Sequence, residues 1–173
     1  SVLAPGGGLV SARRIWTLDR ADHPIRDAAD LEAMHPGSMP RTLYGDGDQP
    51  DAFAAPRIAI VGTRSATPMG LADAYELGRF CARAGITVVS GLAIGVDAAA
   101  HEGALDGGGL TVGVVATGLD VVYPRRNTRL FTRVRARGLI VGEHPDGTPP
   151  TAWRFPLRNR IIAALAQIGR AHV

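Results

Sequence analysis

The chain has 173 residues, 46% of them apolar, enough for one buried core and against wholesale disorder. It carries 19 basic residues, all Arg, and its formal net charge of +3 hides a division: residues 1–120 hold 9 Arg and 14 acids, residues 121–173 hold 10 Arg and 2 acids. A single cysteine, Cys81, excludes an internal disulfide, and no run of apolar residues is long enough to indicate a membrane span.

Codon usage in a GC-rich genome accounts for the missing Lys but not for where the Arg residues sit. A basic segment on an otherwise acidic chain suits a polyanionic partner. No leader segment is visible in a chain that starts at Ser1, and a cytoplasmic location is the expectation.

Residues 1–55 are rich in Pro, Asp and Gly and read as an irregular N-terminal extension, with short strands expected near 14–18 and 42–44. A regular pattern begins at 56. The apolar run 58–61 suits a strand buried on both faces. After the turn Gly62-Thr63-Arg64, Thr67 and Pro68 open a helix as N-cap and first residue. That helix runs to about residue 84, buries Cys81 on its apolar face, and is ended by Gly85. The unit then repeats: a strand at 86–89, a glycine-flanked turn from Ser90, and a helix from Asp97 to about 105, stopped by Gly107. A strand at 111–116, a short helix at 127–135, a strand at 139–141 and a helix at 157–166 follow.

Alternating strands and helices predict an α/β fold, a Rossmann-like parallel sheet with helices on both faces. The helix at 157–166 has no strand after it in this reading, so the sheet is expected to be C-terminally truncated over 56–167. The tail 168–173 breaks the apolar rhythm and matches the translation of a sequencing-adapter read-through. It is expected to be an artefact.

Right-handed crossovers place every strand-to-helix turn on one sheet edge, where such folds bind ligands. Gly62 allows close backbone approach there, and Arg64 adds charge at a helix N-terminus. Asp97 is placed as an N-cap, His101 as a packed or capping residue, and Asp120 as an acceptor for backbone donors or a partner for an Arg. No catalytic set is indicated. Neither a cofactor nor a metal is expected: the dinucleotide fingerprint, the Gly-Lys-Ser/Thr loop and zinc spacing are all missing. In the basic segment, Arg interleaved with Trp153 and Phe155 suits single strands, with guanidinium groups on phosphates and rings on bases. A solvated charged face with both rings packed inward fits the composition equally well.

Four motifs in order carry a resemblance. They are Arg57-Ile58-Ala59-Ile60-Val61-Gly62-Thr63-Arg64, Ser90-Gly91-Leu92-Ala93-Ile94-Gly95-Val96-Asp97 with His101, Gly118-Leu119-Asp120-Val121-Val122-Tyr123-Pro124 with Asn127, and Phe155-Pro156-Leu157-Arg158-Asn159-Arg160-Ile161-Ile162. They are similar to the motifs of the DprA/Smf DNA-processing family. Looser matches lie at Asp22-His23-Pro24 and Pro40-Arg41-Thr42-Leu43-Tyr44.

The resemblance implies single-stranded DNA binding in natural transformation, without catalysis. It also implies a homodimer and the loading of a RecA-type recombinase. The family's basic positions map to Arg64, Arg125, and Arg158 with Asn159 and Arg160. The expected DNA-contacting set is therefore Gly62, Thr63, Arg64, Ser90, Gly91, Gly95, Gly118, Arg125, Asn127, Arg158, Asn159 and Arg160. Ile94 departs from the family by standing where Arg or Lys is usual. A phosphoribohydrolase of the LOG type is a second reading, weakened because its P-G-G-x-G-T-x-x-E block does not occur. A small-nucleotide sensor is a third.

Overall fold

In the computed structural model, which describes residues 13–17, 22–25, 38–166 and 170–172, the expected apolar runs form one seven-stranded sheet. The strands are β1 (Arg14–Thr17), β2 (Thr42–Asp46), β3 (Arg57–Val61), β4 (Thr87–Ser90), β5 (Thr111–Val115), β6 (Leu139–Gly142) and β7 (Arg170–His172). Their spatial order is β1-β2-β6-β5-β4-β3-β7. β3 through β7 pair in parallel. β1 pairs antiparallel with β2, and β2 antiparallel with β6. The two short strands expected near 14–18 and 42–44 form and join the same sheet; the rest of the described N-terminal residues are turns, bends and a short 3-10 piece.

Among the described residues four helices cover it: α1 (Pro68–Arg83), α2 (Val96–Asp106), α3 (Thr128–Arg137) and α4 (Arg154–Leu165). Successive strand residues point to opposite faces. Ile60, Val88, Val115 and Ile140 pack under α1, α2 and α3, while Ala59, Val89, Val112, Val114, Leu139 and Val141 pack under α4. Burial on both sides explains why these strands read as unbroken apolar runs.

The cap of α1 is as expected: Thr67 Oγ1 accepts from Gly70 N–H at 3.1 Å, Pro68 is the first residue, and Gly85 follows the helix with φ +72°. Cys81 is buried in that helix, and burial pushes its thiol pKa up, as for an inert structural cysteine. α4 starts at Arg154, three residues earlier than expected, with Pro156 in the first turn, where no N–H is needed.

A strand does follow α4, where the sequence reading expected none: β7 lies parallel to β3, with Arg170 opposite Ala59. Buried Arg57 ties this region together, its Nε donating to Leu165 O at 2.7 Å and its NH1 to Phe53 O. Buried Asp46 does the same for β2, lying 3.4 Å from Arg13 and 3.0 Å from Arg135 of α3. Among the described residues no helix is long and apolar enough to cross a membrane.

Candidate nucleic-acid interface

The turns after β3, β4 and β5 and the start of α4 meet at the carboxyl edge of the parallel strands, the edge where open α/β sheets take ligands. Arg64 is exposed on the first turn, and its guanidinium lies over the Phe155 ring, 5.2 Å from the centroid. Tyr123, 43% exposed, faces the same ring at 5.2 Å between centroids, tilted by 33°. Three adjoining hollows share Arg64 and Phe155. A slot is lined by Gly91, Ala93, Ile94, Tyr123, Pro124 and Arg158; a polar notch of about 190 Å³ adds Gly62, Asp97 and Asn159; an open shelf of about 470 Å³ reaches Pro150 and Ala152. Together they make one groove with aromatic walls and a cationic rim.

Beneath the groove, the loop from Ser90 to Gly95 is held from several sides. Arg158 is buried, and its NH1 donates to Gly91 O and Val114 O. A Cβ on Gly91 would come 2.5 Å from that guanidinium, so glycine is required for the close approach. Burial lowers the Arg158 pKa to about 10; Asp97 pulls it up and Arg64 pushes it further down. It remains charged at neutral pH. Leu92 has φ +56°, a costly conformation for a branched residue. Its side chain is fully buried against Gly113, and its carbonyl accepts from Asn127 Nδ2 at 3.0 Å.

Asp97 corrects the sequence reading twice. Gly95, not Asp97, occupies the cap of α2, and Asp97 lies buried in the first turn. Its carboxylate accepts from Gly91 N–H at 3.1 Å, and from the backbone of Ala93 and Gly62. Burial raises its pKa, opposed by Arg158 and by these hydrogen bonds. The N–H groups of Gly62 and Gly91, both members of the expected DNA-contacting set, are therefore occupied by an internal carboxylate.

Other members of the expected set also make hydrogen bonds within the chain. Ser90 is fully buried and donates to Ile60 O at 2.6 Å. Thr63 is exposed outside the groove, its Oγ1 accepting from Ser65 N–H at 3.1 Å. Gly95 has φ +89° and lets the Thr63–Arg64 backbone lie against it; Val96 N–H donates to Thr63 O at 3.2 Å. Gly118 is buried and donates to Thr148 O at 3.0 Å. Asn127 supports the Leu92 loop rather than a ligand. Arg160 pairs with Glu143 and does not line the groove.

Gly62, Arg64, Gly91, Arg158 and Asn159 do line it, with Arg158 as a buried floor. Arg125 is exposed, next to the lining residue Pro124 but outside the groove itself.

His101 is packed, one of the two roles expected for it. It is fully buried with Nδ1 2.7 Å from Thr111 Oγ1, whose own hydrogen goes to Val88 O at 2.8 Å. The shared hydrogen is therefore on His101 Nδ1. Asp120 accepts from Gly147 N–H at 2.8 Å, as expected of a backbone acceptor.

The aromatic wall was only half legible: Phe155 stood out among the arginines, Tyr123 did not. Two aromatic-proline pairs at separate sheet-edge turns, Tyr123-Pro124 and Phe155-Pro156, were the available signal. Trp153 is exposed, stacks under Arg154 at 5.1 Å, and does not line the groove.

Comparison with known proteins agrees with this fold. Protein Smf of Synechocystis is 45% identical over 112 residues, which are 65% of this chain and 28% of that protein. The X-ray structure of DNA processing protein A from Streptococcus pneumoniae aligns with TM-score 0.76 and 33% identity, covering 88% of this chain and 51% of that one. A structure of the Helicobacter pylori protein, which bears on its single-stranded DNA binding mode, aligns with TM-score 0.75 and 28% identity over 92% of this chain and 68% of that one. The chain thus spans about half or less of the length of the Synechocystis and Streptococcus relatives. The family model for DNA recombination-mediator protein A matches residues 14–169, and the chain belongs to that family.

Proposed function

We propose that the chain binds single-stranded DNA in the groove beneath Arg64, as a binding module for DNA processing rather than an enzyme. The observation that carries the reading is the sharing of one open groove by an exposed guanidinium and two rings, Tyr123 and Phe155. Rings offer any base a stacking face and Arg64 offers the backbone a charge, so affinity is expected without base preference. Ser90 and His101, the pair that sequence could nominate for nucleophilic chemistry, are both fully buried and committed to other partners. The single-stranded DNA binding mode described for the Helicobacter relative supports the same assignment. For the whole protein, a homodimer, loading of a RecA-type recombinase and a role in natural transformation belong to this proposal through the family resemblance.

Anisotropy titrations with labelled oligonucleotides test it. With four to six phosphates neutralised, the log–log salt slope is expected to be roughly −3 to −4. Arg64→Ala weakens binding to all sequences alike and flattens the slope by about 0.7. Salt-insensitive binding, or equal affinity for duplex, refutes the assignment.

A further inference from the structure

The arginines of the basic segment fall into two groups. Arg133 pairs with Glu102 and Asp106, and Arg135 with Asp46. Arg125, Arg126 and Arg129 are exposed and have no ion-pair partner among the described residues. These three crowd the short 3-10 turn Arg125–Asn127 and the first turn of α3, a turn with no acidic residue.

For the fold alone this placement is unfavourable. The N-terminus of a helix is its positive pole, where cations are repelled and carboxylates are welcome. Three like charges within one turn add mutual repulsion. The apolar side of α3 (Leu130, Phe131, Val134) is buried, so the arginines do not serve packing. An external polyanion would relieve every one of these repulsions.

Position identifies which polyanion. Pro124 lines the slot beside Tyr123, and Arg125 is the next residue. The ridge therefore begins where the groove ends. Arg126 and Arg129, three residues apart, share one side of this turn and are separated by a rise of about 5 Å.

We propose that a single strand leaving the slot past Pro124 continues along the N-terminal turn of α3, with Arg126 and Arg129 each taking a phosphate beyond the groove. This rests on the single-stranded DNA reading and adds a direction and a longer footprint to it.

The test compares the purified chain with Arg126→Gln/Arg129→Gln on oligothymidylates of about 6 and about 20 nucleotides, spanning the usual range of site sizes. The double variant is expected to bind the short strand unchanged. On the long strand it loses affinity on the order of tenfold near 100 mM salt, and its salt slope flattens by roughly 1.4. Its melting temperature stays level or rises, because repulsion is removed. Equal loss on both strands, no loss on either, or a fall in melting temperature alongside the loss overturns the extension. If the unchanged chain binds neither strand, the groove assignment fails and the extension with it. If it binds both and the double variant behaves identically, the groove stands and the extension alone falls.

Discussion

Acidification should unfold this protein in part through His101. The imidazole is fully buried with Nδ1–H donating to Thr111 Oγ1, and burial lowers its pKa to about 3. In an unfolded chain the same group takes a proton near pH 6.5 (the value for a free His). The folded pKa is depressed, so the contribution is complete above about pH 6.5 and drains away as pH falls toward 3. At about pH 4.5 the unfolded state has gained about 3 kcal/mol of protonation free energy that the folded state does not share. Asp97 acts in the opposite sense. Its pKa is raised, so its contribution is complete below the ordinary carboxylate value and is lost as pH rises through the folded one.

His101→Gln keeps a side-chain donor for Thr111 and removes the titration. Urea unfolding of both proteins at about pH 7.5 and about pH 4.5 isolates the term as a double difference, expected at about 3 kcal/mol. Equal pH dependence in the two proteins would refute the assigned burial and hydrogen bonding.

Two further outcomes follow from the site. Asp97→Ala leaves the buried N–H of Gly91 without its acceptor and removes the negative charge that offsets the burial of Arg158, and should cost about 1–3 kcal/mol of stability by denaturant titration; no measurable loss would show that this carboxylate does not hold the Gly91 loop. Phe155→Ala should weaken single-strand binding by about 1–3 kcal/mol per stacked base with little change in salt slope; a flattened slope with retained affinity would assign the ring to positioning Arg64 instead.

The parallel sheet was legible because burial on both faces leaves an unbroken apolar signature at β3, β4, β5 and β6. Thr67 with Pro68 marked the start of α1 because capping is a local interaction. β7 was not legible: Arg170-Ala171-His172 has no strand pattern of its own, and its pairing depends on β3, more than 100 residues away in sequence. Proline misled at α4, where Pro156 reads as a boundary although the first turn tolerates it.

At the site, the sequence reading and the structure put Arg64 at the same sheet edge, beside the groove. The sequence could not say which polar groups are already spent. Ser90 and Asn127 each carry donors that suit phosphate, and each commits one to a backbone carbonyl 30 to 35 residues away in the chain.

The Asp97 carboxylate beneath the glycine turns sets the character of the surface above it. A ring of fixed backbone dipoles would anchor one phosphate at one point, giving a strand a defined register. With those dipoles already saturated from within, a strand bound as proposed meets long, swivelling guanidinium groups and flat rings. Such contacts fix no single register, so a strand bound as proposed would be free to shift by one nucleotide.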